Sequence, residues 1–353
     1  DLPDKQFSDT TISGWEVNKG AVLADIDNNG TCEILVNNQS DENHVGINIF
    51  NSNGNVHSGW SNSTQQNFGD CGYSMPVAFD FNNDGEKEIV IGCTENGNHK
   101  AGIYIYKEDG TTYGQTNPIY EASNGYRNDF PPIVADINND GIFEIIFLCA
   151  TNTTANIYAM KPDGTPVTGW DWNSSNHPAF TLSGSVSGGS YYGQNCPNFS
   201  VGDLDKDGNL EVVCGDAGHL YIWSHSGGNT PIKDIVISNY TSNKDKVPII
   251  ADIDEDDGDL EIIITNTFSV PSEGVDIYAY KMDGTLAKGF PITIDAIVNN
   301  SPCVDDIDND GMNELIVSTG MKFYVWDTYG NANNNVYGWK SYRRDNLNSG
   351  VFL

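Results

Sequence analysis

Positive charge is scarce in this chain. Its 17 Lys and Arg stand against 49 Asp and Glu, a formal net charge of −32, and Arg127, Arg343 and Arg344 are the only arginines. So few cations cannot be assembled into a useful basic patch, which argues against nucleic acid or an anionic membrane surface as partner. Long apolar runs are missing as well: no stretch approaches the roughly 18 to 20 residues of a membrane span, so no membrane insertion is expected. Asp1-Leu2-Pro3-Asp4 has neither the basic nor the apolar region of a secretory signal, so the numbering reads as that of a mature chain or an excised domain. The six histidines, at 44, 57, 99, 177, 219 and 225, show no metal-ligand spacing and read as ordinary residues. Seven cysteines are an odd number, so at least one thiol has no partner within the chain. Cys71 with Cys93 and Cys196 with Cys214 are the candidate bridges, and burial as small hydrophobes is the alternative for each.

What the chain does have is aromatic content of 11% and short β-type runs throughout, enough apolar surface to fold despite its acidity. It also has an internal repeat. One pattern occurs six times: Asp25-Ile-Asp-Asn-Asn-Gly30-Thr-Cys-Glu33, Asp80-Phe-Asn-Asn-Asp-Gly85-Glu-Lys-Glu88, Asp136-Ile-Asn-Asn-Asp-Gly141-Ile-Phe-Glu144, Asp203-Leu-Asp-Lys-Asp-Gly208-Asn-Leu-Glu211, Asp252-Ile-Asp-Glu-Asp-Asp-Gly258-Asp-Leu-Glu261 and Asp306-Ile-Asp-Asn-Asp-Gly311-Met-Asn-Glu314. The first aspartates are 55, 56, 67, 49 and 54 residues apart, and each motif runs straight into an aliphatic stretch such as Glu144-Ile-Ile-Phe147. An alternating aromatic run and an Asx-Gly turn then follow, as in Ile103-Tyr-Ile-Tyr106 before Asp109-Gly110, a hairpin signal because the primed turns need positive φ. A fourth strand is expected to open at Gly59-Trp60, Gly169-Trp170 and Gly289-Phe290.

Four short antiparallel strands per unit of about 55 residues predict an all-β, six-bladed β-propeller as a single domain over residues 1–353. The wide interval from Asp136 to Asp203 reads as an enlarged loop. Gly14-Trp15 suggests that the N-terminal segment completes the C-terminal blade and closes the ring, and seven blades are the alternative if both ends make a blade of their own.

The loops carry oxygen donors at positions 1, 3 and 5, Gly at 6 and Glu at 9, with one inserted residue in the fifth copy. Alternate oxygens before a sharp Gly turn suit Ca2+, which takes six to eight oxygens at about 2.3 to 2.6 Å. The expected ligands are Asp25, Asp27, Asn29 and Glu33; Asp80, Asn82, Asp84 and Glu88; Asp136, Asn138, Asp140 and Glu144; Asp203, Asp205, Asp207 and Glu211; Asp252, Asp254, Asp256 and Glu261; and Asp306, Asp308, Asp310 and Glu314. A position 7 carbonyl and water would finish each shell. Zinc wants His or Cys, which the loops lack apart from Cys32. An EF-hand is excluded because its closing Glu stands at position 12 and its loop lies between helices. About six structural calcium sites follow, coupling occupancy to stability.

These loops and the strands around them resemble the FG-GAP/VCBS repeat family, known from the integrin α-subunit propeller and many secreted bacterial proteins, over residues 15 to 340. The resemblance implies a calcium-binding propeller and an extracellular or cell-surface location; the family usually has Asp at position 9, where every copy here has Glu. The tail from Trp339 to Gly350 is similar to the endings of secreted bacterial propellers. The fold does not choose a function. Gly184-Ser-Val-Ser-Gly188 lies in a Ser/Gly-rich loop without the strand-to-helix elbow of a nucleophilic serine, and no catalytic constellation stands out. The longest connection, roughly 169 to 199, offers Trp170, Trp172, Tyr191 and Tyr192 among short hydrogen bonders, the mix that a glycan or protein ligand uses. An adhesion, recognition or assembly module is therefore expected. A polysaccharide lyase or hydrolase, or its accessory domain, is the first alternative, and a structural subunit of a surface assembly the second.

Overall fold

The computed structural model describes residues 20–353 apart from 40–44, 61–73, 96–99, 115–117, 123–129, 152–153, 174, 182–197, 217, 238–246, 255–257, 266–274, 296–297, 299, 342–343 and 346–348. The chain is all-β, six sheets following one another in sequence order. The first holds β1 (Val22–Ala24), β2 (Glu33–Gln39) and β3 (Val45–Phe50). The second holds β4 (Val77–Phe79), β5 (Glu88–Glu95), β6 (Lys100–Tyr106) and β7 (Tyr120–Glu121). The third is formed by β8 (Ile133–Ala135), β9 (Glu144–Ala150), β10 (Thr154–Met160) and β11 (Ala179–Thr181), and the fourth by β12 (Asn198–Gly202), β13 (Glu211–Asp216), β14 (His219–Trp223) and β15 (Lys233–Val236). The fifth contains β16 (Ile249–Ala251), β17 (Glu261–Thr265), β18 (Val275–Tyr280) and β19 (Ile292–Ile294), and the sixth β20 (Cys303–Asp305), β21 (Met312–Ser318) and β22 (Phe323–Asn331). The last strand, β23 (Val351–Phe352), adds to the third sheet, parallel to β8.

The expected four antiparallel strands are present in sheets two to five, and the first and sixth have three among the described residues. Gly169-Trp170 does not open the fourth strand, since β11 begins at Ala179, whereas Gly289-Phe290 leads into β19 at Ile292, and the stretch after Gly59-Trp60 lies outside the described residues. The register repeats. In every copy the residue before the first loop aspartate is the strand partner of the closing glutamate, as in Ala24↔Glu33, Ala135↔Glu144, Ala251↔Glu261 and Asp305↔Glu314. The loop is thus the turn between first and second strands, and its closing glutamate belongs to a sheet whose partner strand fixes its position.

Strands with period-two alternation face solvent on one side, but β8, β9, β12, β16 and β17 are buried at every residue. Both faces of these sheets are covered by neighbouring sheets. Ile89 and Ile91 pack with Leu35 and Ile49 of the first sheet, whereas Val90 and Ile103 pack with Ile145 and Phe147 of the third. A continuous cluster joins Ile146, Val212, Ile250 and Leu315 across sheets three to six. The C-terminal tail crosses between first strands: Trp339 O accepts from Ile250 N, Lys340 O from Val304 N, and Gly350 O from Val134 N, each at 2.9 Å. On β22 the exposed row Phe323, Val325 and Tyr329 is left without cover among the described residues. Gly14 and Trp15, expected to complete that sheet, lie outside the described residues.

Cys93 is disulfide-bonded, and its expected partner Cys71 lies outside the described residues. The second expected bridge is not formed: Cys214 stands in β13 as a buried thiol. A strand interior places it as the small hydrophobe that the alternative reading described.

Candidate metal loops and an aromatic cavity

Each loop is wound by its own side chains. At position 1, Asp306 accepts the backbone N–H groups of Asp310 at 3.2 Å and Gly311 at 3.0 Å, and Asp136 accepts those of Asp140 and Gly141 at 3.0 and 2.8 Å. Asp25 and Asp80 do the same in their loops. At position 3, Asp27, Asn82, Asn138, Asp205 and Asp308 each accept the position 5 N–H. At position 5, Asn29, Asp84, Asp140, Asp207 and Asp310 each accept the position 7 N–H. Position 4 is left-handed: Asn28, Asn83, Asn139, Lys206 and Asn309 have φ between 53° and 63°. Asn is the side chain that tolerates this best, which explains its four appearances there.

The closing glutamate reaches back across the loop, and its Oε2 accepts the position 2 N–H in all six copies, at 3.1, 2.9, 3.1, 2.9, 3.0 and 2.7 Å. That bond occupies one oxygen and leaves the other. Glu33 Oε1, Glu144 Oε1 and Glu261 Oε1 are buried and accept no hydrogen bond, as are Asp203 Oδ1 and Asp252 Oδ1. Buried carboxylate oxygens without a donor are costly unless a cation fills the gap. The donor spacing fits one: ligand oxygens of Asp203, Asp205 and Glu211 lie within 4.8 Å of one another, as do those of Asp252, Asp254 and Glu261, and of Asp306, Asp308 and Glu314. Two oxygens sharing an ion at about 2.4 Å are at most about 4.8 Å apart. Asp256 lies outside the described residues. In the second loop the Asn82 amide donates to Glu88 Oε1 at 3.0 Å, and in the third the Asn138 amide to Asp140 Oδ2 at 3.3 Å.

The electrostatics agree with that geometry. Burial, followed by the charges of the loop aspartates, pushes Glu88 and Glu144 up to about 7 and Glu211 and Glu261 to about 8. Burial also raises Glu33, Asp203 and Asp252. The nearby cations are few: Lys161 approaches Asp140 at 3.4 Å and Lys281 approaches Asp254 at 3.1 Å.

The loops stand side by side on one face. Lys87 N donates to Ile26 O and Leu210 N to Ile137 O, joining loops one to two and three to four. Phe79 and Phe143 touch between sheets two and three, Lys206 pairs with Asp259 between loops four and five, and the Asn313 amide donates to Asp252 O between five and six.

At the far ends of the strands, between sheets two and three, a cavity of about 490 Å³ is lined by Tyr120, Glu121, Thr154, Tyr158, Trp172 and His177 among others. Trp172 is half-buried, its ring 4.6 Å from Tyr120 and 6.3 Å from Tyr158. Of the expected ligand-binding residues it alone is placed at a cavity. Tyr191 and Tyr192 lie outside the described residues. Trp170 is a correction: it is 0% exposed, its indole N–H donates to His225 O at 2.7 Å, and it can offer no face to a ligand. Trp60 makes the same bond to Glu108 O at 2.6 Å, so the Gly-Trp pair pins one sheet to the hairpin of the next. Tyr120 and Tyr158 were missed because they come from stretches of sequence far from the 169–199 connection, whereas His177 belongs to it with Trp172.

A family model described as an FG-GAP-like repeat matches residues 80–147, which hold the second and third loops. No curated protein matches. Among solved structures, the chain is similar to the Vibrio cholerae biofilm matrix protein Bap1 at 18% identity and a TM-score of 0.46, over 78% of this chain and 41% of that one. It is similar to the C-terminal domain of Pseudomonas aeruginosa PilY1 at 11% identity and a TM-score of 0.48, over 86% and 80%. The SapL1 lectin in complex with alpha methyl fucoside follows at 10% identity and a TM-score of 0.36, over 88% and 97%. At such identities and TM-scores no ligand or activity passes from these proteins to this chain.

Proposed function

We propose that this chain, whose residues 80–147 match the FG-GAP-like repeat, is a member of the FG-GAP/VCBS repeat family and an extracellular recognition module, a six-bladed propeller stabilised by calcium in its loops, which binds a glycan on the face opposite the metals. The observation that carries the ligand reading is the cavity between sheets two and three. Its Trp172 ring, half-buried and backed by the buried Tyr120 and Tyr158, supplies an apolar face, and Glu121, Thr151 and Thr154 supply hydrogen-bonding groups around it. Apolar walls with a few convergent polar groups are what a small ligand needs for affinity and orientation.

The test is a glycan-array screen in calcium and again in chelator, with the same glycans assayed for new reducing or unsaturated ends. Binding without cleavage is expected. Trp172→Ala is expected to weaken it at least about thirtyfold, the loss of a central aromatic anchor of about 2 kcal/mol. Glu121→Gln, at an exposed position, removes a charge from the cavity wall. Cleavage would make the chain an enzyme, and silence on all glycans would hand the cavity to a protein partner.

Calcium at the closing glutamates sets a pH dependence. A carboxylate raised on folding binds its proton more tightly in the folded than in the unfolded chain, so the metal-free protein loses stability as pH rises from the ordinary carboxylate range through about 7 to 8. A bound cation reverses this preference. The melting temperature gained on adding calcium is therefore expected to grow from about pH 5 to about pH 8. An equal gain at both ends would remove the glutamates from the coordination shell.

A further inference from the structure

The first loop differs from the others in one respect. Its donor cluster is Asp27, Glu33 and His57, whose ligand atoms lie within 4.8 Å of one another, so an imidazole stands where the other sites have only oxygens. His57 comes from the hairpin after β3, not from the loop, and its equivalents in other sheets are defined by the same backbone bond. His57 N donates to Ile49 O, Tyr113 N to Ile105 O, Val167 N to Ala159 O and Ala287 N to Ala279 O. In the fourth sheet Ile232 N donates to Ile222 O in the same way, and none of these four equivalents can ligate a metal through nitrogen. The hairpin's first residue changes with it: Lys107, Lys161 and Lys281 open the same turn, each donating to the carbonyl four residues on, but the first hairpin has Asn51. Lys161 and Lys281 place their charges on their own loops' carboxylates. The first repeat has no such lysine, and neither has the fourth, where Ser224 opens the hairpin; in the first, Asn51 Oδ1 lies 2.7 Å from His57 Nδ1 and, as an acceptor, favours the tautomer with the proton on Nδ1.

The paired change has a chemical reading. With Nδ1–H held by Asn51, Nε2 is the nitrogen that keeps a lone pair, and a second-sphere hydrogen bond of this kind is what orients a metal-ligating histidine. His57 is 8% exposed and Glu33 1%, and Glu33 Oε1 accepts no hydrogen bond. A buried, unpartnered carboxylate oxygen beside an imidazole nitrogen and a second carboxylate is a mixed nitrogen and oxygen set, which favours first-row transition ions over calcium. We infer that the first repeat is a separate metal site, with Asp27, Glu33 and His57 as ligands and Asn51 as positioning residue, selective for a divalent transition ion such as Co2+ or Zn2+.

This inference rests on the reading of the loops as cation sites, and its test separates the two. Co2+ is titrated into the full chain in saturating calcium. One equivalent is expected to bind without being displaced, and its proton spectrum to show a paramagnetically shifted, exchangeable imidazole N–H, a readout that needs no variant. His57→Gln is expected to abolish that equivalent while the calcium-dependent gain in melting temperature is kept, and Asn51→Ala to weaken it by about 10- to 100-fold. Cys32, an exposed thiol beside Glu33, is replaced by serine throughout so that it cannot supply a ligand. Absence of the shifted N–H, ready displacement of Co2+ by calcium, or a Co2+ equivalent that survives His57→Gln would each overturn the assignment. Loss of the calcium gain alone, with the Co2+ equivalent intact, would overturn the calcium reading and leave this one standing.

Discussion

Replacing Asp306 or Asp203 by alanine is expected to lower the melting temperature in calcium by about 4 °C and to change it little in chelator. A site occupied at one hundred times its dissociation constant adds about 2.7 kcal/mol to stability, and a chain of this length loses about 0.7 kcal/mol of stability per degree near its midpoint. Without metal, the alanine loses the backbone bonds of Asp306 to Asp310 N and Gly311 N, each of about 1 kcal/mol. It also relieves the repulsion among Asp306, Asp308 and Glu314, whose oxygens crowd within 4.8 Å. The two effects oppose each other. Stripping calcium from the five loops other than the first is expected to cost on the order of 20 °C by the same arithmetic. Thermal melts of the two variants, each in calcium and in chelator, check this; an equal loss under both conditions would sink the metal assignment. Asp252 is the contrast, because its Oδ2 also takes Asn331 N at 3.1 Å and the Asn334 amide at 2.6 Å. Asp252→Ala is therefore expected to destabilise the chain with and without calcium.

Much of this was legible in the chain because the information is local. The loops, the strands that begin at Glu33, Glu88, Glu144, Glu211 and Glu261, and the Asx-Gly hairpins all lie within a few residues of the motifs that announce them. The aspartates wind the loop through its N–H groups, and in the fourth, fifth and sixth loops those at positions 1 and 3 also bring an oxygen within 4.8 Å of the closing glutamate's. The glutamates spend Oε2 on a backbone bond in every loop, which leaves Oε1 of Glu33, Glu144 and Glu261 without a donor, whereas Glu88 Oε1 accepts from the Asn82 amide. Neither division can be read from spacing, which gives donor order but not which lone pair is spent on the backbone.

What escaped the sequence depends on residues far apart along it. Trp170 sits in a stretch rich in short polar residues and reads as a surface platform, yet its indole partner, His225 O, is 55 residues away in the next sheet. Tyr120 and Trp172 meet over a comparable distance to form the cavity. His57 shows no metal spacing because its companions, Asp27 and Glu33, are in the preceding loop, and only the pairing of β1, β2 and β3 brings them together. The signal that could have found it was the comparison of equivalent hairpin positions, where an apolar or aromatic residue becomes His57 and the first residue of the hairpin becomes Asn51.

The Gly-Trp pair supplies a test of how the sheets are locked together. Gly169 has φ +84°, and a Cβ there would stand 2.0 Å from Ser226 O of the next sheet's hairpin. Gly289, at φ +90°, is the equivalent position before Phe290, and a Cβ there would meet nothing within 4 Å. Alanine at either position bears the cost of a left-handed backbone, about 1 to 2 kcal/mol. Only Gly169→Ala must also push two hairpins apart, against backbone that cannot yield as a side chain would. That displacement threatens the bonds from Gly228 N to Gly169 O at 2.7 Å and from the Trp170 indole to His225 O. Gly169→Ala is therefore expected to cost more than about 4 kcal/mol, and Gly289→Ala about 1 to 2. Denaturant unfolding of the two variants measures the difference. A difference near zero would mean that the sheets carry their neighbours through apolar packing alone, and that the indole bonds of Trp60 and Trp170 are incidental to it.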